Sequence, residues 1–285
     1  MTRVESRPEP PEALPAPVID SHTHLDVHDR SLHGETAPDP NELLQQAAAV
    51  GVTKVVQIGC DVESAEWSVS FRKSHPQVAV GVGLHPNDAA RLAVAAGPGL
   101  DQAWERIVEL ADEESVVAIG ETGLDFFRTP EPEGRRWQAE SFRRHIRLAK
   151  KLNKALVIHD RDSHRDVIDV LTDEGPPDRV VFHCFSGDDD MARQCASQGW
   201  FMSFAGVVTF RNAETSRRAQ ASVPDDLLLV ETDAPYLTPV PHRGRANGSY
   251  LMPWTVRTLA QERGSDEAGI CEMLTANTIR AFGAW

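Results

Sequence analysis

Short β-branched runs in this 285-residue chain keep ending on side chains that can hold a metal ion. Val18-Ile19-Asp20 leads to His22 and His24, Val117-Ala118-Ile119-Gly120 to Glu121, and Leu156-Val157-Ile158 to His159. Val180-Val181-Phe182 leads to His183, and the run 227–230 to Asp233. A strand closed by an imidazole or a carboxylate, then a helix-length segment, then another such strand, describes an α/β protein built as a TIM-like (β/α)8 barrel, with its donors converging on one rim. Six donors at one rim suit two metal ions.

The length matches one such barrel, which takes roughly 250 residues. Residues 1–16 mix charges with prolines and read as a flexible tail, leaving 17–285 as a single domain. The tail lacks the basic-then-apolar order of a signal peptide, and no apolar run approaches the roughly 18 residues of a membrane span. A net charge of −14 argues against a broad basic face for nucleic acid. It leaves room for a small, locally positive site, because bound divalent cations dominate the charge around them. Cys60, Cys184, Cys195 and Cys271 form no CxxC pair and no dense framework, which fits a reducing cytoplasm.

Apolar runs bounded by turn residues predict strands at 17–20, 53–58, 78–82, 115–119, 154–158, 179–182, 199–204 and 226–230. They are continuous and not alternating, as strands buried on both faces are. Helices are expected at 41–50, 137–151, 253–264 and 266–277, with 242–250 a loop. In the second helix Phe142, Ile146 and Ala149 recur on one face.

His22 and His24 stand two apart, so on a strand both point to the same side. With Glu121, His159, His183 and Asp233 at other strand ends, the mixed nitrogen and oxygen donors favour zinc, manganese or a similar ion over calcium, with magnesium also open. Asp233 is the candidate to orient or deprotonate a nucleophile, and Arg161, Arg211 and Arg243 are candidates to hold phosphate. Of the remaining histidines, His28, His33, His75, His145 and His164 read as solvent-facing, while His242 lies in a loop that could cover the site. Cys184 reads as core by strand alternation, and Trp67, Trp104 and Trp137 as packing residues of helices.

Five ordered motifs carry a family resemblance: HTHLD at 22–26, GLHP at 83–86, GETGLDF at 120–126, FHCFSG at 182–187 and ETDAPYL at 231–237. From about residue 17 to the C-terminus the chain resembles the TatD family of metal-dependent deoxyribonucleases. The resemblance implies an amidohydrolase-type barrel with a two-metal site. It also implies His22, His24 and Asp233 on one ion, His159 and His183 on the other, and Glu121 between them. His85 is similar to a family residue at the edge of the site, either a phosphate contact or a loop histidine steadying the turn at Pro86. The chain departs from the family in the last loop, where residues 243–249 keep Asn247 but lose the acid and proline that usually follow it.

Two cations about 4 Å apart can activate a water for attack at phosphorus. With the resemblance, the leading expectation is exonuclease-type hydrolysis of DNA phosphodiesters, the preference for a free or single-stranded end being what the family implies, with Asp233 and Glu121 as catalytic carboxylates and no obligate protein partner. The same metals would serve an ester or amide hydrolase such as a D-aminoacyl-tRNA deacylase. A non-catalytic scaffold is the third reading.

Overall fold

The computed structural model describes residues 7–27, 38–95 and 99–285. His28 and His33 lie outside them. The strands are β1 (Val18–Thr23), β2 (Val52–Gly59), β3 (Val78–Val82), β4 (Val116–Asp125), β5 (Ala155–Arg161), β6 (Val180–Phe182), β7 (Phe201–Phe204) and β8 (Leu228–Val230). They form one eight-stranded sheet in the order β1 to β8. Each begins within two residues of its expected start. Almost every strand residue is buried, which is why the runs are apolar without alternation.

Between the strands lie α1 (Pro40–Ala49), α2 (Val62–Arg72), α3 (Pro86–Val94), α4 (Gly99–Ala111), α5 (Pro132–Leu152), α6 (His164–Glu174), α7 (Asp189–Ser197) and α8 (Glu214–Ser222), followed by α9 (Met252–Arg263) and α10 (Glu267–Phe282). Helix α1 starts where Asp39 accepts the Asn41 N–H at 2.9 Å and Pro40 occupies the first turn. Helix α5 begins at Pro132, five residues before the expected start, because proline and Glu133 suit a first helical turn. Phe142, Ile146 and Ala149 are fully buried on it. Burying Phe142 and Ile146 contributes roughly 1.5–3 kcal/mol each, against a few tenths for a partly exposed pair such as Glu140–Arg144. The apolar face therefore sets how α5 sits on β4 and α3.

The described chain divides into two compact units, one of Met1–Gln57, Gly187–Gln198 and Met202–Arg280, the other of Ile58–Ser186, Gly199–Phe201 and Ala281–Trp285. In the first unit, β1 is parallel to β2, with Val18 opposite Val52 and Asp20 opposite Val55. Its other edge meets the segment after β8, where Thr23 bridges Ala234. In the second, β4 runs against β5 from Ala118–Ala155 to Asp125–Arg161. Part of the expected tail is described in the first unit. Leu14 is buried and its N–H donates to the Val50 carbonyl at 3.0 Å.

Two residues depart from expectation. His145, read as solvent-facing, is fully buried. Its Nε2 accepts the Leu84 N–H at 3.0 Å and its Nδ1 donates to the Ser141 carbonyl at 2.7 Å. Cys184, read as core, is half-buried, because β6 ends at Phe182 and a φ of 41° at Cys184 breaks the alternation assumed for it.

Candidate active site

The first unit gathers His22, His24 and Asp233. Two-residue spacing on the extended end of β1 brings the His22 and His24 Nε2 atoms to 3.2 Å. Asp233 Oδ1 lies 3.4 Å from His24 Nε2 and 3.9 Å from His22 Nε2. Backbone bonds fix this meeting: the Asp233 N–H donates to the His22 carbonyl at 3.0 Å, and the His24 N–H to the Ala234 carbonyl at 2.9 Å. Donors roughly 2.1 Å from a tetrahedral ion lie about 3.4 Å apart, so this trio fits a small divalent cation.

Behind the trio stands Asp20, a fully buried carboxylate that the strand-end pattern passed over. It accepts from the Thr232 N–H at 3.0 Å, the Thr232 hydroxyl at 2.5 Å, the Ser249 hydroxyl at 2.7 Å and the His22 N–H at 3.3 Å. Burial pushes its pKa up to about 7 despite these bonds. The same two-residue period that pairs His22 with His24 includes Asp20, so the signal was in the sequence. Asn247, retained in the altered loop, ties that loop down by donating to the Thr232 carbonyl at 3.0 Å and the Tyr236 carbonyl at 2.7 Å.

The second unit gathers Glu121, His159, His183 and His85. Glu121 Oε1 lies 2.6 Å from His159 Nδ1, 2.7 Å from His183 Nε2 and 3.6 Å from His85 Nε2. His159 Nδ1 and His183 Nε2 are 3.4 Å apart, again the spacing of ligands on one ion. Glycine makes this approach possible. Gly120 and Gly123 have φ of 137° and 133°, and a Cβ on either would collide with the Val157 or His159 carbonyl of β5. Burial would raise the Glu121 pKa, but the imidazoles of His183 and His85 and the bonds to His159 and His183 hold it well below the usual carboxylate range.

Of the two roles left open for His85, the structure shows the one that steadies the turn at Pro86. Its Nδ1 accepts the Asn87 N–H at 3.2 Å, capping α3, and its other ring nitrogen faces Glu121. Burial pushes its pKa down to about 4, so the ring is neutral. Sequence reasoning missed Asp125, whose Oδ2 is 3.4 Å from His159 Nε2 and accepts from Asn87 at 2.9 Å. Burial opposes its charge, but the His159 bond and the Arg128 N–H keep it well below the usual range. Cys60 was missed as well. Its thiol lies 3.4 Å from Glu121 Oε2.

Ligand atoms of His85, Glu121 and His159 all lie within 4.8 Å of one another. The nitrogen and carboxylate donors in both units therefore suit a divalent transition metal. The three candidate phosphate-holding arginines are exposed and belong to neither trio. Arg161 rests on the Phe127 ring at 4.1 Å, and Arg243 on the Phe210 ring at 4.1 Å. No ion pair to Arg161, Arg211 or Arg243 occurs among the described residues. His242 packs edge-on against Trp254. No helix among the described residues is long and apolar enough to cross a membrane.

Comparison with known proteins identifies the family of the chain. Residues 19–283 match the family model described as TatD related DNase. The chain is 43% identical to the uncharacterized metal-dependent hydrolase TatD of Mycobacterium tuberculosis, over 93% of this chain and 98% of that protein. It is 32% identical to the 3'-5' ssDNA/RNA exonuclease TatD of Escherichia fergusonii, over 87% and 94%. Among solved structures, the TatD homolog YJJV of Escherichia coli K12 superposes with a TM-score of 0.82 at 26% identity, covering 94% of this chain and 98% of that one. The chain belongs to the TatD-related DNase family, as a metal-dependent hydrolase with that family's barrel fold.

Proposed function

We propose that the protein is a deoxyribonuclease of exonuclease type, hydrolysing phosphodiester bonds at free or single-stranded DNA ends in the cytoplasm. His22, His24 and Asp233 would hold one divalent ion, and His159, His183 and Glu121 a second. Zinc, manganese or magnesium would there polarise a phosphoryl oxygen and acidify an attacking water.

One observation carries the reading. Two carboxylates with different surroundings accompany the imidazoles. The Glu121 side chain is 4% exposed and bonded by two rings, whereas that of Asp233 is 15% exposed. Water reaches Asp233 more readily, so Asp233 accepts the nucleophile's proton and Glu121 serves as an anionic ligand. Neutral His85 offers its Nε2–H to a phosphate oxygen, and Arg161, Arg211 and Arg243 steady the chain of phosphates by charge-assisted bonds. The exonuclease name of the Escherichia fergusonii relative supports the substrate class.

The test is a panel of single-stranded DNA, duplex DNA, RNA and aminoacyl-tRNA, each with Mg, Mn and Zn, with product ends mapped. Progressive shortening of single-stranded DNA is expected, and Asp233→Asn should lower kcat by orders of magnitude at saturating metal with KM little changed. Cleavage confined to the aminoacyl ester, or full activity of Asp233→Asn, refutes the assignment. Absence of metal binding after reconstitution would make the protein a scaffold.

A further inference from the structure

Five large apolar residues are exposed among the described residues: Val94, Phe127, Tyr236, Val240 and Ile279. Only two are aromatic, Phe127 and Tyr236. Phe127, 57% exposed, follows Asp125 by two residues, and Asp125 is 3.4 Å from His159. Tyr236, 41% exposed, packs its ring edge-on to His24 at 6.5 Å.

Both rings stand on backbone that is already fixed. The turn bearing Phe127 is held by the Phe126 N–H to the Arg161 carbonyl at 2.9 Å and by the Arg128 N–H to Asp125 at 2.8 Å. Arg161, which makes no ion pair among the described residues, lies over the Phe127 ring. The Tyr236 N–H donates to the Asp233 carbonyl at 2.9 Å, and its own carbonyl accepts from Asn247. A fixed exposed ring is an arrangement on which an unpaired base stacks, and at Phe127 the Arg161 guanidinium is at hand for its phosphate.

We infer that Phe127 and Tyr236 are base-stacking platforms for single-stranded nucleic acid, each in its own unit. This rests on the nuclease reading and adds the feature that selects the strand. A base inside a duplex has both faces covered by its neighbours, so it reaches neither ring. Single-stranded ends are therefore preferred without any hydrogen-bond reading of sequence.

The test uses the metal-loaded enzyme and a single-stranded oligonucleotide carrying 2-aminopurine at one of its last three positions, at each end in turn, followed by stopped flow before turnover. Binding should quench the fluorophore. Phe127→Leu and Tyr236→Leu, which keep apolar bulk but remove the ring, should abolish the quench at their position and raise KM about 5- to 100-fold, with kcat little changed. Tyr236→Phe should behave as wild type. With abasic residues at those positions, wild type and both leucine variants should bind alike. Retained quench and unchanged KM in the leucine variants overturns the stacking role, as does an equal loss on base-containing and abasic strands. A wild-type enzyme that neither binds nor cuts any oligonucleotide overturns the nuclease reading itself, a result separable from normal cutting by unaltered leucine variants.

Discussion

His145 offers a quantitative test of how the interior of this fold holds its site. Its ring is fully buried, and burial pushes its pKa down to about 4. In the unfolded chain the same ring titrates near about 6.5. Between those values the unfolded state binds more protons than the folded one, so stability falls as pH drops from about 6.5 toward about 4. With these two values, lowering pH from about 7 to about 5 removes about 2 kcal/mol through His145 alone. Asp20, raised to about 7, works in the opposite sense, since it keeps its proton in the folded chain while the unfolded chain ionises, so stability falls as pH rises from about 4 to about 7. Only the difference between wild type and a variant isolates the histidine. His145→Gln keeps an acceptor for the Leu84 N–H but cannot take a proton. Urea unfolding at the two pH values should show a loss for this variant about 2 kcal/mol smaller than for wild type. His145→Leu, which strands the buried Leu84 N–H, should cost roughly 1–3 kcal/mol at neutral pH. Because Leu84 precedes His85, it should also loosen the cap of α3. Identical pH dependence in wild type and His145→Gln would refute the reasoning.

Paired replacement of His22 and His24 by alanine should leave the calorimetric transition largely intact while removing one equivalent of metal by elemental analysis; global unfolding of the metal-free wild type would contradict this. Glu121→Gln should lose the equivalent of metal proposed for His159 and His183, and retention of full metal with normal turnover would exclude Glu121 as a ligand. Gly123→Ala, at φ 133° with its Cβ driven into the His159 carbonyl, should cost at least about 1–3 kcal/mol in denaturant unfolding; a change of less than 0.5 kcal/mol or so would show that β4 and β5 part easily there.

Legibility in the sequence followed the range of the interactions. Strand positions were readable because burial on both faces leaves apolar runs, and Pro40 announced the helix after it by its fixed φ. The six candidate donors could be proposed because each lies on a strand or just beyond one, although β4 runs on to Asp125 past Glu121. Contacts across long stretches of chain were not readable. Asp20 meets Thr232 and Ser249 across 212 and 229 residues, and His145 meets Leu84 across 61. A histidine among arginines on an amphipathic helix reads as solvated until the strand-end loop that it supports is known. Cys184 failed for a different reason. Alternation was extended one residue past a strand that had already turned.

Asp20 and Glu121 show how one fold gives two buried carboxylates opposite tendencies. For both, burial is the largest influence and favours the neutral form. Asp20 is met by hydroxyls and backbone N–H groups, which bring dipoles but no net charge, and burial prevails. Glu121 is met by imidazoles that can carry charge, and its anion prevails. The partner's capacity for positive charge thus decides the sign, which is the condition a divalent cation would satisfy more fully than a protonated ring. Asp20, with four bonds already made, braces β1 against the segment after β8 and holds the His22–His24 pair in register with Asp233.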